Sequence, residues 1–187
     1  MALWNRRTFL KAAITGLVGA SGTFAFLKGY KHIYNIGDIV EYPNSVLRGV
    51  SQSIDFIDEA VVALANSMIS ILRYRAPLEF LFKGSLYKGL AAPQVGIQKR
   101  LIVCGLHGEL KTLVNPEILE QSGTFENNEY CLSLPQYHRK TIKRSQNVTV
   151  NYKTLENTEK ILIAKNSSAA LLQHEIDHLN GVLYIDH

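Results

Sequence analysis

The apolar positions of this chain change rhythm along its length. Over residues 54–75, Phe56, Ile57, Ala60, Val61, Leu64, Ala65, Met68, Ile69, Ile71 and Leu72 recur near i, i+3, i+4 and i+7, the period of an amphipathic helix. Met68 lies in that stripe as ordinary core. Pro77 lacks a backbone donor and predicts a stop, so residues 76–86, with Phe80 and Phe82, read as a loop. The rhythm then shortens. Residues 100–105 are a nearly continuous apolar run, read as a buried strand with Cys104 as a small core residue. Residues 110–114 read as a second strand after a His107-Gly108 turn. Asn115-Pro116 predicts another turn, with a further strand from 117 to 120. Residues 148–152 and 160–164 flank a polar turn at 155–159 and read as a hairpin. Nearer the N-terminus, residues 38–44 read as an extended piece ending in a Pro43-Asn44 turn, followed by core anchors Leu47 and Val50.

The last segment returns to the helical rhythm. Ser167 and Ser168 are candidate N-caps, Ala169 to Gln173 suit a helix, and Asn180-Gly181 supplies a stop. Helix, several strands, then helix predicts an α+β fold: antiparallel or mixed β-sheets packed around the C-terminal helix, with a long N-terminal helix.

The first residues follow a different pattern. Asn5, Arg6, Arg7, Thr8, Phe9, Leu10 and Lys11 precede sixteen uncharged residues, Ala12 to Leu27, rich in Ala and Gly. Paired arginines, then an apolar run, then small residues resemble a twin-arginine export signal. The run is short for a membrane span. Residues 1–27 are therefore expected to direct export or tether the chain to a membrane, the alternatives being a cytoplasmic or organellar location. Residues 28–36 read as a linker and 37–187 as the catalytic domain.

The leader also accounts for the basic charge. The chain has 20 Lys and Arg against 16 Asp and Glu, a net +4. Arg6, Arg7 and Lys11 belong to the leader, which holds no acid, so the remainder carries +1. No arginine-rich stripe or aromatic stacking pattern is present, and nucleic-acid binding is not expected. Two cysteines make no disulfide framework. A hydrophobic share of 47% with 19% charged residues excludes a disordered chain.

The chemistry concentrates in the last helix, at His174-Glu175-Ile176-Asp177-His178. Four residues turn a helix by about 400°, so the two imidazoles lie on one face, one turn apart. That spacing suits two ligands to one ion, with Glu175 as an adjacent base. A histidine pair alone also occurs on ordinary helix surfaces, so the motif needs a third ligand and a group for the electrophile. Two other stretches offer them. Around Gly89, Leu90, Ala91, Ala92, Pro93 and Gln94, small residues allow close approach to the backbone, and the Gln94 amide can donate to a developing oxyanion. Glu129, Tyr130, Cys131, Leu132 and Ser133 supply a cysteine.

In order and spacing these three stretches resemble the peptide deformylase family, and Tyr42 to Arg48 is similar to that family's N-terminal segment. The likeness covers residues 37–187. It implies a hydrolase removing the N-formyl group from N-terminal formyl-methionine of polypeptides. It assigns Cys131, His174 and His178 to one divalent ion, Fe²⁺ foremost, with Zn²⁺, Ni²⁺ or Co²⁺ able to take its place. Glu175 becomes the general acid/base, Gln94 and the Leu132 N–H the oxyanion donors, and Gly89 a backbone contact for an extended peptide. A thiolate donor argues against Mg²⁺ or Ca²⁺. The implied partner is a formylated peptide or nascent chain N-terminus, and a monomer is expected.

Two positions depart from the family pattern. Tyr87 stands where the first glycine of the Gln94 motif is usual, and Tyr130 where a glycine precedes the cysteine. Both lie beside the expected cleft, where a ring fills a substrate subsite or disturbs a backbone that needed φ > 0. An inert, peptide-binding metal protein and a peptidase are the competing readings. Asp177 is expected at the helix surface or beside the ligands, in a structural role.

Overall fold

The computed structural model describes residues 39–83, 89–106 and 108–187, with 74–83 as backbone. The leader at 1–27, the linker at 28–36, Tyr87 and His107 lie outside the described residues.

Among the described residues, two helices and seven strands carry the fold. In chain order they are α1 (Glu59–Lys83), β1 (Gly89–Ala91), β2 (Leu101–Leu106), β3 (Glu109–Ser122), β4 (Phe125–Glu129), β5 (Lys140–Arg144), β6 (Asn147–Lys153), β7 (Glu159–Lys165) and α2 (Ser167–Leu179), with short 3₁₀ turns at Ser45–Arg48, Ala92–Val95 and Tyr184–Asp186. One sheet runs β1-β2-β3-β6-β7 and a second pairs β4 with β5. Every neighbouring pair of strands is antiparallel. This is the α+β arrangement of antiparallel sheets around a C-terminal helix. Helix α2 packs on β1, β2 and β7. It buries Ala169, Leu172, Ile176 and Leu179 against Ala91, Ile102, Cys104, Leu113, Val148 and Val150. Among the described residues, no helix is long and apolar enough to cross a membrane.

Several elements differ from expectation, each for a local reason. The first helix begins at Glu59, not residue 54. Asp58 caps it: its carboxylate accepts the Val61 N–H at 2.9 Å, which satisfies an otherwise orphaned donor. Phe56 therefore precedes the helix and is 85% exposed. The buried stripe is Val61, Leu64, Ala65, Met68 and Leu72. Helical backbone continues past Pro77 to Lys83, so residues 76–83 are not loop. A proline in a helix interior costs about 3 kcal/mol, and Leu78, Glu79 and Leu81 around it are good helix formers.

The two strands expected at 110–114 and 117–120 are one. Asn115 adopts φ 49°, and the register against β6 shifts between Val114 and Glu117. The Asn-Pro pair thus makes a β-bulge within β3 instead of a turn. Asn115 accepts the Ile54 N–H and donates to the Ile54 carbonyl, both at 2.8 Å, which ties the entry segment to the bulge.

Leu47 is fully buried, whereas Val50, just past the 3₁₀ turn, is exposed. The hairpin forms as read, closed by Asn157 with φ 57°. Neither Ser167 nor Ser168 caps α2. Asn166 takes the cap position, and its side chain accepts from Gln146 at 3.2 Å instead of bonding the helix. At the other end Gly181 has φ 73°, and a Cβ there would lie 2.4 Å from the Arg48 carbonyl oxygen, so both conformation and space require glycine.

Candidate metal centre

Three elements bring the site together. Helix α2 supplies His174, Glu175 and His178. The turn after β4 supplies Cys131. The 3₁₀ turn after β1 supplies Gln94. Cys131, His174 and His178 each offer one ligand atom, and these atoms lie within 4.8 Å of one another. The Cys131 Sγ is 3.1 Å from His178 Nε2. The two imidazoles sit 5.0 Å apart by ring centroid, nearly perpendicular. Soft sulfur and two imidazoles suit a borderline divalent cation. The donor set fits such an ion.

Gln94 is buried, and its amide is oriented by what it bonds. Its Oε1 accepts the Ala91 N–H at 2.8 Å. Its Nε2 is then directed at the site, 3.4 Å from Cys131 Sγ and 3.2 Å from Ser133 Oγ. Leu132 lies between Cys131 and Ser133, whose own N–H points to Cys131 Sγ at 3.4 Å.

Glu175 is buried, and its Oε2 has no hydrogen-bond partner among the described residues. Burial pushes its carboxyl up to about 7, with Glu129 and Asp177 adding to the rise and His174 opposing it. Gly89 makes room for this group. A Cβ on Gly89 would lie 2.2 Å from Glu175 Oε1 and 2.5 Å from its Cδ. The glycine is thus required by the carboxylate as well as by any peptide alongside it.

Sequence reasoning missed the groups that hold His174. Its Nδ1 lies 2.9 Å from Glu129 Oε2, which directs the other nitrogen, Nε2, toward the cluster. Such carboxylate–histidine bonds fix tautomer and ring orientation. Arg144 grips Glu129 with two bonds of 2.9 and 3.0 Å and reaches Asp177 at 2.6 Å. Burial alone would raise the Glu129 carboxyl, but His174 and Arg144 outweigh it and hold it at about 2. Removing one partner of a buried pair typically costs about 3–5 kcal/mol, so the arginine is structural to the site. Asp177 is part of this network, beside the ligands, and also bonds His187 at 2.9 Å. Tyr184 stacks on His174 at 6.2 Å. The signal for Arg144 was weak: it shares the inward face of β5 with Ile142, an alternation visible only once β5 is known to be a strand.

Tyr130 follows Glu129 directly and is half-buried, with the Arg139 guanidinium 4.6 Å from its ring centroid. It is not among the described residues with positive φ, which besides glycines are Asn115, Asn157 and Asn166. The ring therefore imposes no left-handed strain, and its effect is confined to the space it fills.

The polypeptide deformylase family model matches residues 36–187. A peptide deformylase of Agrobacterium fabrum is 39% identical over 160 residues, covering 81% of this chain and 86% of the relative. Peptide deformylase 1 of Clostridium perfringens is 37% identical over 146 residues, covering 77% and 92%. Among solved structures, a peptide deformylase from Thermotoga maritima superposes with a TM-score of 0.71 at 33% identity, covering 80% of this chain and 95% of that one. One from Synechococcus elongatus in complex with actinonin gives 0.69 at 34%, covering 80% and 76%. With the fold, the cysteine–histidine cluster and these likenesses in agreement, this chain belongs to the polypeptide deformylase family.

Proposed function

We propose that this chain is a metal-dependent hydrolase that removes the N-formyl group from N-terminal formyl-methionine of polypeptides. The observation that carries the reading is the convergence of Cys131, His174 and His178 beside the buried Glu175 carboxylate, whose Oε2 has no hydrogen-bond partner among the described residues. In this reading the three ligands hold one divalent cation, Fe²⁺ first, with Zn²⁺, Ni²⁺ or Co²⁺ as alternatives. When bound, such an ion supplies Lewis acidity, polarising a carbonyl and lowering the pKa of water from ~15.7 toward about 7.

The chain's own groups do the rest. Glu175 takes a proton from the attacking water and returns it to the leaving amine. Burial raises its pKa, whereas a cation nearby would favour its charged form. The Gln94 Nε2 and the Leu132 N–H donate to the oxyanion formed at the formyl carbon. Losing one such donor costs about 3–4 kcal/mol. Gly89 lies on β1, an edge strand with β2 on one side. Its other edge suits an extended peptide added as a further strand. Tyr130 would narrow the cleft around that peptide.

The inert-paralogue reading is disfavoured by an intact Glu175 and an oriented Gln94. Formyl-Met-Ala-Ser and its unformylated counterpart, offered side by side, test the proposal. Release of formate from the first alone is expected. Cleavage of the second would point to a peptidase, and no turnover of either to the inert reading.

The leader supports export or membrane tethering, with the domain folding and taking up its metal before translocation. A reporter fused to residues 1–30 is expected in the membrane or beyond it; a cytosolic reporter would contradict this.

A further inference from the structure

Strand β7 forms one edge of the five-stranded sheet. Among the described residues its only strand neighbour is β6, and no other backbone group bonds to Glu159–Lys165. Alternation along it is regular. Lys160, Leu162 and Ala164 share the core-side face, Lys160 exposed at its start, whereas Glu159, Ile161, Ile163 and Lys165 face outward. Ile161 is 58% exposed and Ile163 64%. Exposed edges are usually blunted by proline, a bulge or charge; this one has neither proline nor bulge, and Lys160 at its start is the one charge on its core-side face. Here the strand is straight in register over all seven residues, with two β-branched side chains at its centre.

The order of these residues is self-complementary. If a second copy pairs antiparallel with β7 about a two-fold axis through Leu162, Glu159 faces Lys165 of the other copy. In the same register Ile161 faces Ile163, and Leu162 faces itself. Both charge pairs and all four isoleucines then share one face of a continuous sheet. Cross-strand pairs of opposite charge and of β-branched residues stabilise antiparallel neighbours, and like charges destabilise them. We infer that β7 is a homodimer interface, in place of the monomer expected from sequence, formed by strand addition between two copies of this chain. This isologous pairing closes on itself, so it yields a dimer and not a filament.

Sedimentation velocity of the full chain over a concentration series tests the proposal. A monomer–dimer equilibrium is expected. Glu159→Lys and Lys165→Glu should each weaken it about tenfold, because each turns two attractive pairs into repulsive ones. Mixing these two variants should restore association, since each then offers the charge the other lacks, and the double variant should dimerise alone. Ile163→Lys should abolish the dimer. At concentrations low enough for the wild type to be monomeric, all four should keep its melting temperature and deformylase rate, which separates loss of pairing from loss of folding. A wild-type chain that stays monomeric at its highest soluble concentration would overturn the proposal. So would a dimer indifferent to these changes, which would place the contact on another face.

Discussion

Glu175→Gln is expected to lower kcat for formyl-Met-Ala-Ser by about 10²–10⁴-fold, the usual contribution of a positioned proton carrier, while metal content is retained. Glutamine keeps the shape of the side chain but cannot take or return a proton. The same variant should be more stable in its metal-free form. The sign follows from the carboxyl's raised pKa, about 7 when folded against an ordinary value near 4.5. Below the ordinary value both states bind the proton and the group costs nothing. As pH rises toward the folded value, the unfolded chain ionises first, and the native state is penalised. The wild-type cost is complete above pH ~7 and amounts to a few kcal/mol. Denaturation of both metal-free proteins at two pH values measures this. The variant should gain stability above neutrality and lose the advantage in acid. Full turnover by Glu175→Gln would remove the carboxylate from the mechanism. A variant that loses both metal and rate would reassign Glu175 to holding the ion.

Gly89→Ala should also cost activity, through displacement and not chemistry. The added methyl would fall 2.2 Å from Glu175 Oε1 and 2.6 Å from its Cγ, well inside contact. Either β1 or the carboxylate must move by about an ångström, and misplacement on that scale costs about 10²-fold. The three atoms nearest the added methyl all belong to Glu175, so metal content should hold. Overpacking should lower stability by about 1–3 kcal/mol, which a denaturation curve reads separately. A wild-type rate in Gly89→Ala would show that Glu175 tolerates displacement. A rate lost together with the metal would show that the strain reaches the ligands.

The site was more legible than its support. Cys131, His174 and His178 could be named because metal chemistry restricts which side chains serve and helical spacing restricts where. Gln94 was legible for its amide, but its orientation depends on the Ala91 N–H, which only the fold provides. Glu129 stood in the cysteine stretch without a role, and Arg144 carried no pattern of its own. Their roles exist because β4 and β5 pair and bring them under α2, a juxtaposition that no local propensity encodes.

In the fold, alternation identified the hairpin and the apolar run identified β2. Local punctuation was less dependable. Asn115-Pro116 resembled a turn because both residues favour one, yet hydrogen bonds to Ile54 hold the strand together through a bulge. Phe56 and Val50 are apolar and exposed, since burial follows the direction in which the backbone leaves a cap or turn, and not hydrophobicity alone.

The central claim is that one thiolate and two imidazoles share a cation. The chain has two cysteines, and Cys104 is buried in β2 with its thiol pushed up by burial, so the two can be told apart. Replacing the bound metal with Co²⁺ and recording the thiolate-to-cobalt charge-transfer band tests the claim most directly. The band should be present in the wild type and in Cys104→Ala, and absent in Cys131→Ala. A band that survives loss of Cys131, or that never forms, would contradict the account.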